Sequence, residues 1–316
     1  MRTVQLGGNG PHIGIVGLGC MGMSWGYDDL GRDDSTSMAV IHRALEIGMN
    51  LIDTSDQYGP FVNERLVGRA LRDRRDQAVL ATKGGLVVDG AYKTYRNGRP
   101  EHLRAACEAS LGRLGVDHVD LYQLHRVDPN VPIEESWGAL AELVQEGKVR
   151  ALGLSEASVD EISRAAAVHP VASVQTELSL WSREALDEVV PYCTANGITF
   201  IAYSPLGRGF LTDRMNRTED LPEVDGRHRH PRFQAAALAA NQAIMEPVRR
   251  TAAELGVQAA QVALAWVLAQ GNEVVALPGT KTLKYLEVNA AAADITLPQG
   301  RAAELAEVPD AVGTRY

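Results

Sequence analysis

The sequence has 316 residues, 45% of them apolar, and a formal net charge of −9. The apolar share excludes a disordered chain, and the acidic balance argues against a nucleic-acid or anionic-membrane surface, which needs basic stripes. The cysteines, Cys20, Cys107 and Cys193, form no C-x-x-C pair and read as reduced thiols of a cytoplasmic protein. “MRTVQLGGNG” has no continuous apolar stretch of the signal-peptide kind. The longest apolar run, “VALAWVLA” (residues 262–269), is far short of the ~20 residues that span a bilayer.

In chain order, “TVQLGGNGPHIGIV” (residues 3–16) predicts a β-hairpin turning at its Gly/Asn/Pro cluster. From there β-rich runs alternate with amphipathic segments. “HIGIVGLG” is followed by a helix over 36–48, “NLIDTS” by one over 63–72, and “AVLATKG” by one over 101–115. “VDLYQLH” precedes a helix over 133–147, “VRALGLS” one over 158–169, and “ASVQTEL” one over 183–197. “ITFIAYS” leads to 236–256, and “EVVALPG” to 283–293. A glycine stands where several helices should stop, at Gly48, Gly115, Gly147, Gly197 and Gly256. Eight strand–helix units predict an α/β fold, a (β/α)8 TIM barrel, with the hairpin plugging its bottom. No linker interrupts the pattern, so one barrel domain is expected over residues 1–316.

Two stretches depart from the rhythm. “GLGCMG”, residues 17–22, matches G-x-G-x-x-G after a strand, as a Rossmann fold would have it. No helix opens at its end; the first credible start is near Ser35–Thr36. The glycines Gly17 and Gly19 are better read as letting the first loop, with Cys20 and Met21, pass close to a ligand at the barrel mouth. The other stretch, residues 208–233, is long, polar and charged after the seventh strand. Such a loop is either a lid or a mobile insertion. Its residues offer little apolar surface, and Arg208, Arg214 or Arg217 is expected to find charge partners in a bound phosphate group.

In such a barrel the loops at the strands' C-terminal ends build the site. The second strand ends at Asp53 with Tyr58 in its loop; the third ends at Lys83, the fourth at His125. Singly, these are a turn-capping Asp, a surface Tyr, a solvated Lys and a structural His. Convergence on one rim points to chemistry instead. Tyrosine is a weak acid at pH 7, and a neighbouring ammonium favours its phenolate, so Lys83 is expected to lower the Tyr58 pKa. Asp53 would hold Lys83, and His125 would orient a substrate oxygen. The set suits protonation of a carbonyl oxygen while a hydride reaches its carbon. No side chain donates hydride, so a nicotinamide cofactor is implied. Asp53 and His125 alone are too few ligands for a metal.

“DTSDQYG”, “ATKGG”, “LYQLHRVDP”, “GLSE”, “YSPLGRGFL” and “PGTKTLKYLEVN” resemble the aldo-keto reductase superfamily, in the family's order and over nearly the whole chain. “LGCMGMS”, “GLSEAS”, “VHPV” and “LSLWSREALDEVVP” look like the branch that includes perakine reductase and auxin-induced-type reductases. The resemblance implies that Asp53, Tyr58, Lys83 and His125 form a catalytic tetrad and that the activity is NADPH-dependent reduction of aldehydes or ketones. A binding-only reading, a regulatory subunit like the channel β-subunits that resemble this family, is the alternative.

Phosphate sites in such barrels lie by the last two strand–helix loops, here “SPLGRG” and “PGTKT”. The first supplies Ser204, Pro205, Leu206, Gly207 and Gly209; the second supplies Gly279, Thr280 and Lys281. The resemblance assigns these loops to the pyrophosphate and 2′-phosphate of NADP, Tyr203 to the nicotinamide face, Ser155 and Gln175 to the carboxamide, and Glu287 and Asn289 to the adenine. Gly19, Cys20, Met21 and Asp53 are expected beside the cofactor too. Three departures stand out. Glu156 replaces a common Asn, Val288 interrupts a familiar “EEN”, and Tyr285 stands where distant relatives place an Arg. Lys281 or Lys284 is left to meet a 2′-phosphate, and NAD stays possible. With Tyr58 and His125, Trp25 and Arg126 are candidates to meet substrate, as are Tyr27, Tyr92 and Tyr95. The expected partner is a small-molecule carbonyl compound, with the protein a monomer or homo-oligomer.

Overall fold

The computed structural model describes residues 1–27, 32–89 and 93–315. Its strands are β1 (Thr3–Gln5), β2 (His12–Gly14), β3 (Leu18–Gly19), β4 (Leu51–Asp53), β5 (Val79–Gly84), β6 (Leu86–Val88), β7 (Thr94–Arg96), β8 (Val119–Leu124), β9 (Val149–Ser155), β10 (Ser173–Glu177), β11 (Thr199–Tyr203) and β12 (Val274–Leu277). Its α-helices are α1 (Asp34–Glu46), α2 (Val62–Leu71), α3 (Pro100–Leu114), α4 (Ile133–Gln145), α5 (Val159–Val168), α6 (Val189–Ala195), α7 (Ala235–Leu255), α8 (Ala259–Leu268), α9 (Leu283–Ala291) and α10 (Gln299–Ala306).

Eight strands form one parallel sheet in the order β3-β4-β5-β8-β9-β10-β11-β12. Parallel bridges Val16–Ala276 and Gly19–Gly279 join its two edges, which makes the barrel. Strand side chains alternate between two environments, as a period of two requires. Leu51, Val79, Ala81, Leu121, Ile201, Val275 and Leu277 fill the barrel interior, while Ile52, Leu80, Tyr122, Val174 and Phe200 join the larger core under the helices. β1 and β2 pair antiparallel, and Ile13 of β2 and Leu6 in the turn after β1 belong to the interior cluster. The hairpin therefore supplies the barrel's floor, as expected.

Several expectations need correcting. “HIGIVGLG” is not one strand: residues 12–14 stay in the hairpin and only Leu18–Gly19 enters the barrel sheet. The cap of α1 is Asp33, whose carboxylate accepts from the Ser35 N–H, so the helix starts before Ser35–Thr36. The segment 183–197 divides into a short 3-10 turn and α6. Three elements were not foreseen: α8, α10 and the β6–β7 hairpin. α8 is buried along nearly its whole surface, so it shows no amphipathic period to read. The glycine stops hold: Gly115 and Gly256 cap α3 and α7 with φ of 70° and 65°, in the left-handed region where a side chain is strained.

Residues 207–233 are a chain of 3-10 turns, and they do bury apolar surface. Phe210, Leu211, Met215, Leu221 and Phe233 are all in the core. Trp181 stacks on Phe210 at 4.5 Å between ring centroids and meets Phe233 edge-on at 5.5 Å. No single helix among the described residues is long and apolar enough to cross a membrane.

Candidate active site

The alternation that fills the barrel also aims the chemistry. Asp53 shares the inward parity of Leu51, Lys83 that of Ala81, and Gln123 and His125 that of Leu121. Parallel pairing puts Asp53 opposite Ala81 and Lys83 opposite Gln123, so the groups meet at one level of the barrel. Lys83 Nζ donates to Asp53 Oδ1 at 2.5 Å, to the Thr54 carbonyl at 2.9 Å and to Tyr58 Oη at 3.2 Å. All three ammonium protons are thus used. Asp53 Oδ2 accepts from Gln123 Nε2 at 3.1 Å and Gln175 Nε2 at 3.0 Å. Lys83 is 0% and Asp53 3% exposed, which makes this a fully desolvated ion pair.

Burial works against the Lys83 charge, but Asp53 and Tyr58 outweigh it and hold the ammonium above its ordinary pKa. For Tyr58 the balance runs otherwise. Burial pushes the phenol up, Lys83 pulls it down, and the net direction is up. The expected lowering by Lys83 is present but loses to desolvation, so Tyr58 is a protonated phenol at neutral pH. The His125 ring lies edge-on to Tyr58, 6.0 Å between centroids and 86° between planes. Burial, then the charges of Lys83 and Arg126, hold His125 well below its ordinary pKa. It is neutral, its Nδ1 shares a hydrogen bond with Ser55 Oγ at 3.1 Å, and Nε2 is left for a ligand.

A cavity of about 500 Å³ opens from this rim. Asp53, Tyr58, Gln175 and Tyr203 line one end; Thr280, Lys281, Tyr285 and Asn289 line the other. Gly19, Met21, Ser204, Pro205, Leu206, Gly209 and Gly279 also line it. A Cβ at Gly279 would stand 3.1 Å from the Gly19 carbonyl oxygen, so the glycine lets the two loops close up there. The volume, an aromatic face at one end and cations at the other fit an elongated ligand with a flat ring and anionic groups. A larger hollow of about 900 Å³ lies outside the barrel between α2 and α3, lined by Arg65, Arg69 and Arg72, away from this rim. Among the described residues no group of three His, Cys, Asp or Glu side chains could hold a metal ion.

Other expected residues lie elsewhere. Cys20 is buried with its thiol toward the Leu18 carbonyl, and burial pushes that thiol's pKa up. Ser155 is buried and accepts from Arg126 Nη1 at 3.0 Å. The Glu156 carboxylate is used within the protein, accepting from the Glu177 N–H at 3.0 Å and pairing with Arg315. Gly207 turns toward Trp181, where a Cβ would clash at 2.8 Å. Glu287 pairs with Arg43 of α1 at 3.1 Å, outside the cavity. Tyr27 lines the cavity, whereas Trp25 and Arg126 do not and Tyr95 is exposed. Tyr92 lies outside the described residues.

Sequence reasoning missed Gln123, although its place between Leu121 and His125 gives it the inward parity. It also missed Gln258, which lines the cavity at the start of α8. A capping-box spacing, Gln258 to Gln261 ahead of the apolar run, was the available signal.

Residues 16–310 match the Aldo/keto reductase family. “Probable aldo-keto reductase 1” of Glycine max is 42% identical over 320 residues, covering 100% of this chain and 92% of the relative. The glycerol dehydrogenase of Gluconobacter oxydans superposes with a TM-score of 0.86 at 34% identity, covering 97% of this chain and 94% of that one. An aldo/keto reductase from Klebsiella pneumoniae, solved in complex with NADP and acetate, has a TM-score of 0.75 at 27% identity, covering 99% and 98%.

Proposed function

Since the chain belongs to the aldo/keto reductase family, we propose that it reduces aldehydes or ketones to alcohols with NADPH, and that Tyr58 donates the proton. The observation that carries this reading is the contact chain Asp53–Lys83–Tyr58 at one end of the cavity, with neutral His125 edge-on to Tyr58. The NADP-bound Klebsiella relative and the fit of the cavity support the choice of cofactor.

Bound nicotinamide supplies the hydride; the remaining work falls to side chains. His125 Nε2 donates to the substrate carbonyl oxygen and holds it beside Tyr58 Oη. Tyr58 passes its proton to that oxygen as the carbon is reduced. The phenolate left behind is stabilised by Lys83, already 3.2 Å away and needing no reorganisation. Asp53 keeps Lys83 ionised, and Gln123 and Gln175 keep Asp53 in place. Gln175 lies at the nicotinamide end, Tyr203 offers its ring there, and Lys281 meets a phosphate at the far end.

Single-turnover reduction by Tyr58→Phe, read beside NADPH affinity from fluorescence titration, tests this. The rate should fall by about 10²–10⁴ while affinity is nearly kept. A rate within about twofold of the parent would remove Tyr58 from the mechanism.

A further inference from the structure

At the end of the cavity remote from Tyr58, one of the loop arginines expected to meet a phosphate lines the wall. Arg214 belongs to the long loop after β11, yet it lines the same wall as Thr280, Lys281 and Tyr285. Its guanidinium carbon lies over the Tyr285 ring, 4.2 Å from the centroid. Tyr285 is in the first turn of α9, whose N-terminal end carries partial positive charge.

Three other arginines of the loop face carboxylates. Arg208 faces Glu177 at 3.9 Å, Arg217 pairs with Asp220 at 3.5 Å, and Arg227 pairs with Asp225 at 2.7 Å. Asp213, next to Arg214 in sequence, pairs with Arg249 instead, also at 2.7 Å. Among the described residues Arg214 has no carboxylate partner; its contact is the face of Tyr285. A flat, unpaired guanidinium stacked on an aromatic ring keeps its in-plane N–H groups for a ligand. Lys281 stands on the same wall, so two cations meet at one end of an elongated cavity. That arrangement suits a dianionic phosphate monoester, which a guanidinium binds through two parallel hydrogen bonds.

We propose that Arg214, held in place by Tyr285, is the specificity-determining cation for the phosphate monoester on the adenosine ribose of NADPH. The inference rests on the NADPH reading above and adds to it. Cofactor choice is made by a residue of the loop, and Tyr285 acts as the positioning residue that keeps it in reach. Lys284, exposed and outside the cavity wall, has no part.

Fluorescence titration of NADPH and of NADH into the parent, Arg214→Ala, Tyr285→Leu and the double variant Arg214→Ala/Tyr285→Arg tests it. Arg214 is exposed, so its removal should leave the fold intact. Arg214→Ala should weaken NADPH by about tenfold or more and leave NADH nearly unchanged, because only NADPH carries the monoester. Tyr285→Leu should weaken NADPH in the same direction by less. The double variant moves the guanidinium from loop to helix and should recover part of the preference. Equal weakening of both cofactors, or unchanged NADPH affinity in Arg214→Ala, overturns the inference. A parent protein that binds NADH as tightly as NADPH would instead overturn the reading beneath it.

Discussion

The two ends of the cavity are built on opposite principles. At the Tyr58 end, Asp53, Tyr58, Lys83 and His125 sit on barrel strands or the loops beside them and are buried, and the Asp53–Lys83 pair has its charges and hydrogen bonds met inside the protein. At the Arg214 end, Arg214, Thr280, Lys281 and Tyr285 come from loops and a helix start, are partly or fully exposed, and include a cation, Arg214, without a counter-charge among the described residues. Rigid, self-satisfied groups suit proton transfer, where a displaced atom costs rate. An unsatisfied cation at the edge suits binding, because the ligand completes it.

The hardest blow to this contrast would be a tetrad end that tolerates loss of charge balance. Lys83→Met leaves Asp53 buried with two amide donors and no cation. Urea denaturation should show a loss of about 3–5 kcal/mol, and Asp53→Asn/Lys83→Met should recover much of it. If Lys83→Met unfolds at the parent's midpoint, the pair is not desolvated as described.

A second test concerns what lies just behind the tetrad. Asp56 is buried, and burial, then the charge of Glu64, pushes its pKa up to about 7. The unfolded chain ionises this carboxyl at its ordinary pKa near 3.8, while the folded protein keeps it neutral. Stability should therefore fall as pH rises from about 4 to about 7 and then level off. Asp56→Asn removes the titration, so its urea midpoint should decline less between about pH 5 and about pH 8 than the parent's. Parallel profiles would show that the carboxyl is not held neutral. The smallest effect is expected at Lys284, whose replacement by Ala should change NADPH affinity by no more than about 0.5 kcal/mol. A larger loss in the same titration would spread the phosphate end beyond Arg214 and Lys281 and blur the contrast.

The contrast also explains what could be read in advance. Asp53, Lys83 and His125 were legible because strand parity fixes where a side chain points, and Tyr58 because its loop is short. Arg214 could not be told from Arg208 or Arg217, since the difference lies in which carboxylates reach them. Glu287 misled because its partner, Arg43, is 244 residues away in sequence. The core of residues 207–233 was hidden for another reason. Phe210, Met215, Leu221 and Phe233 follow no helix or strand period, and their partner Trp181 lies in a different loop. α8 failed in the reverse sense, with apolar residues so continuous that no face stood out.

The floor of the barrel has a practical reach. Because Leu6 and Ile13 seal one end, anything coupled near Thr3 sits on the side away from Tyr58. Arg315 lies at the opposite side, paired with Glu156 just past β9 and within 3.6 Å of Glu177. The two are unequal as handles. A surface tether or a fused reporter joined near Thr3 leaves the mouth facing solution, whereas the same attachment at Arg315 would tug on the wall beside it.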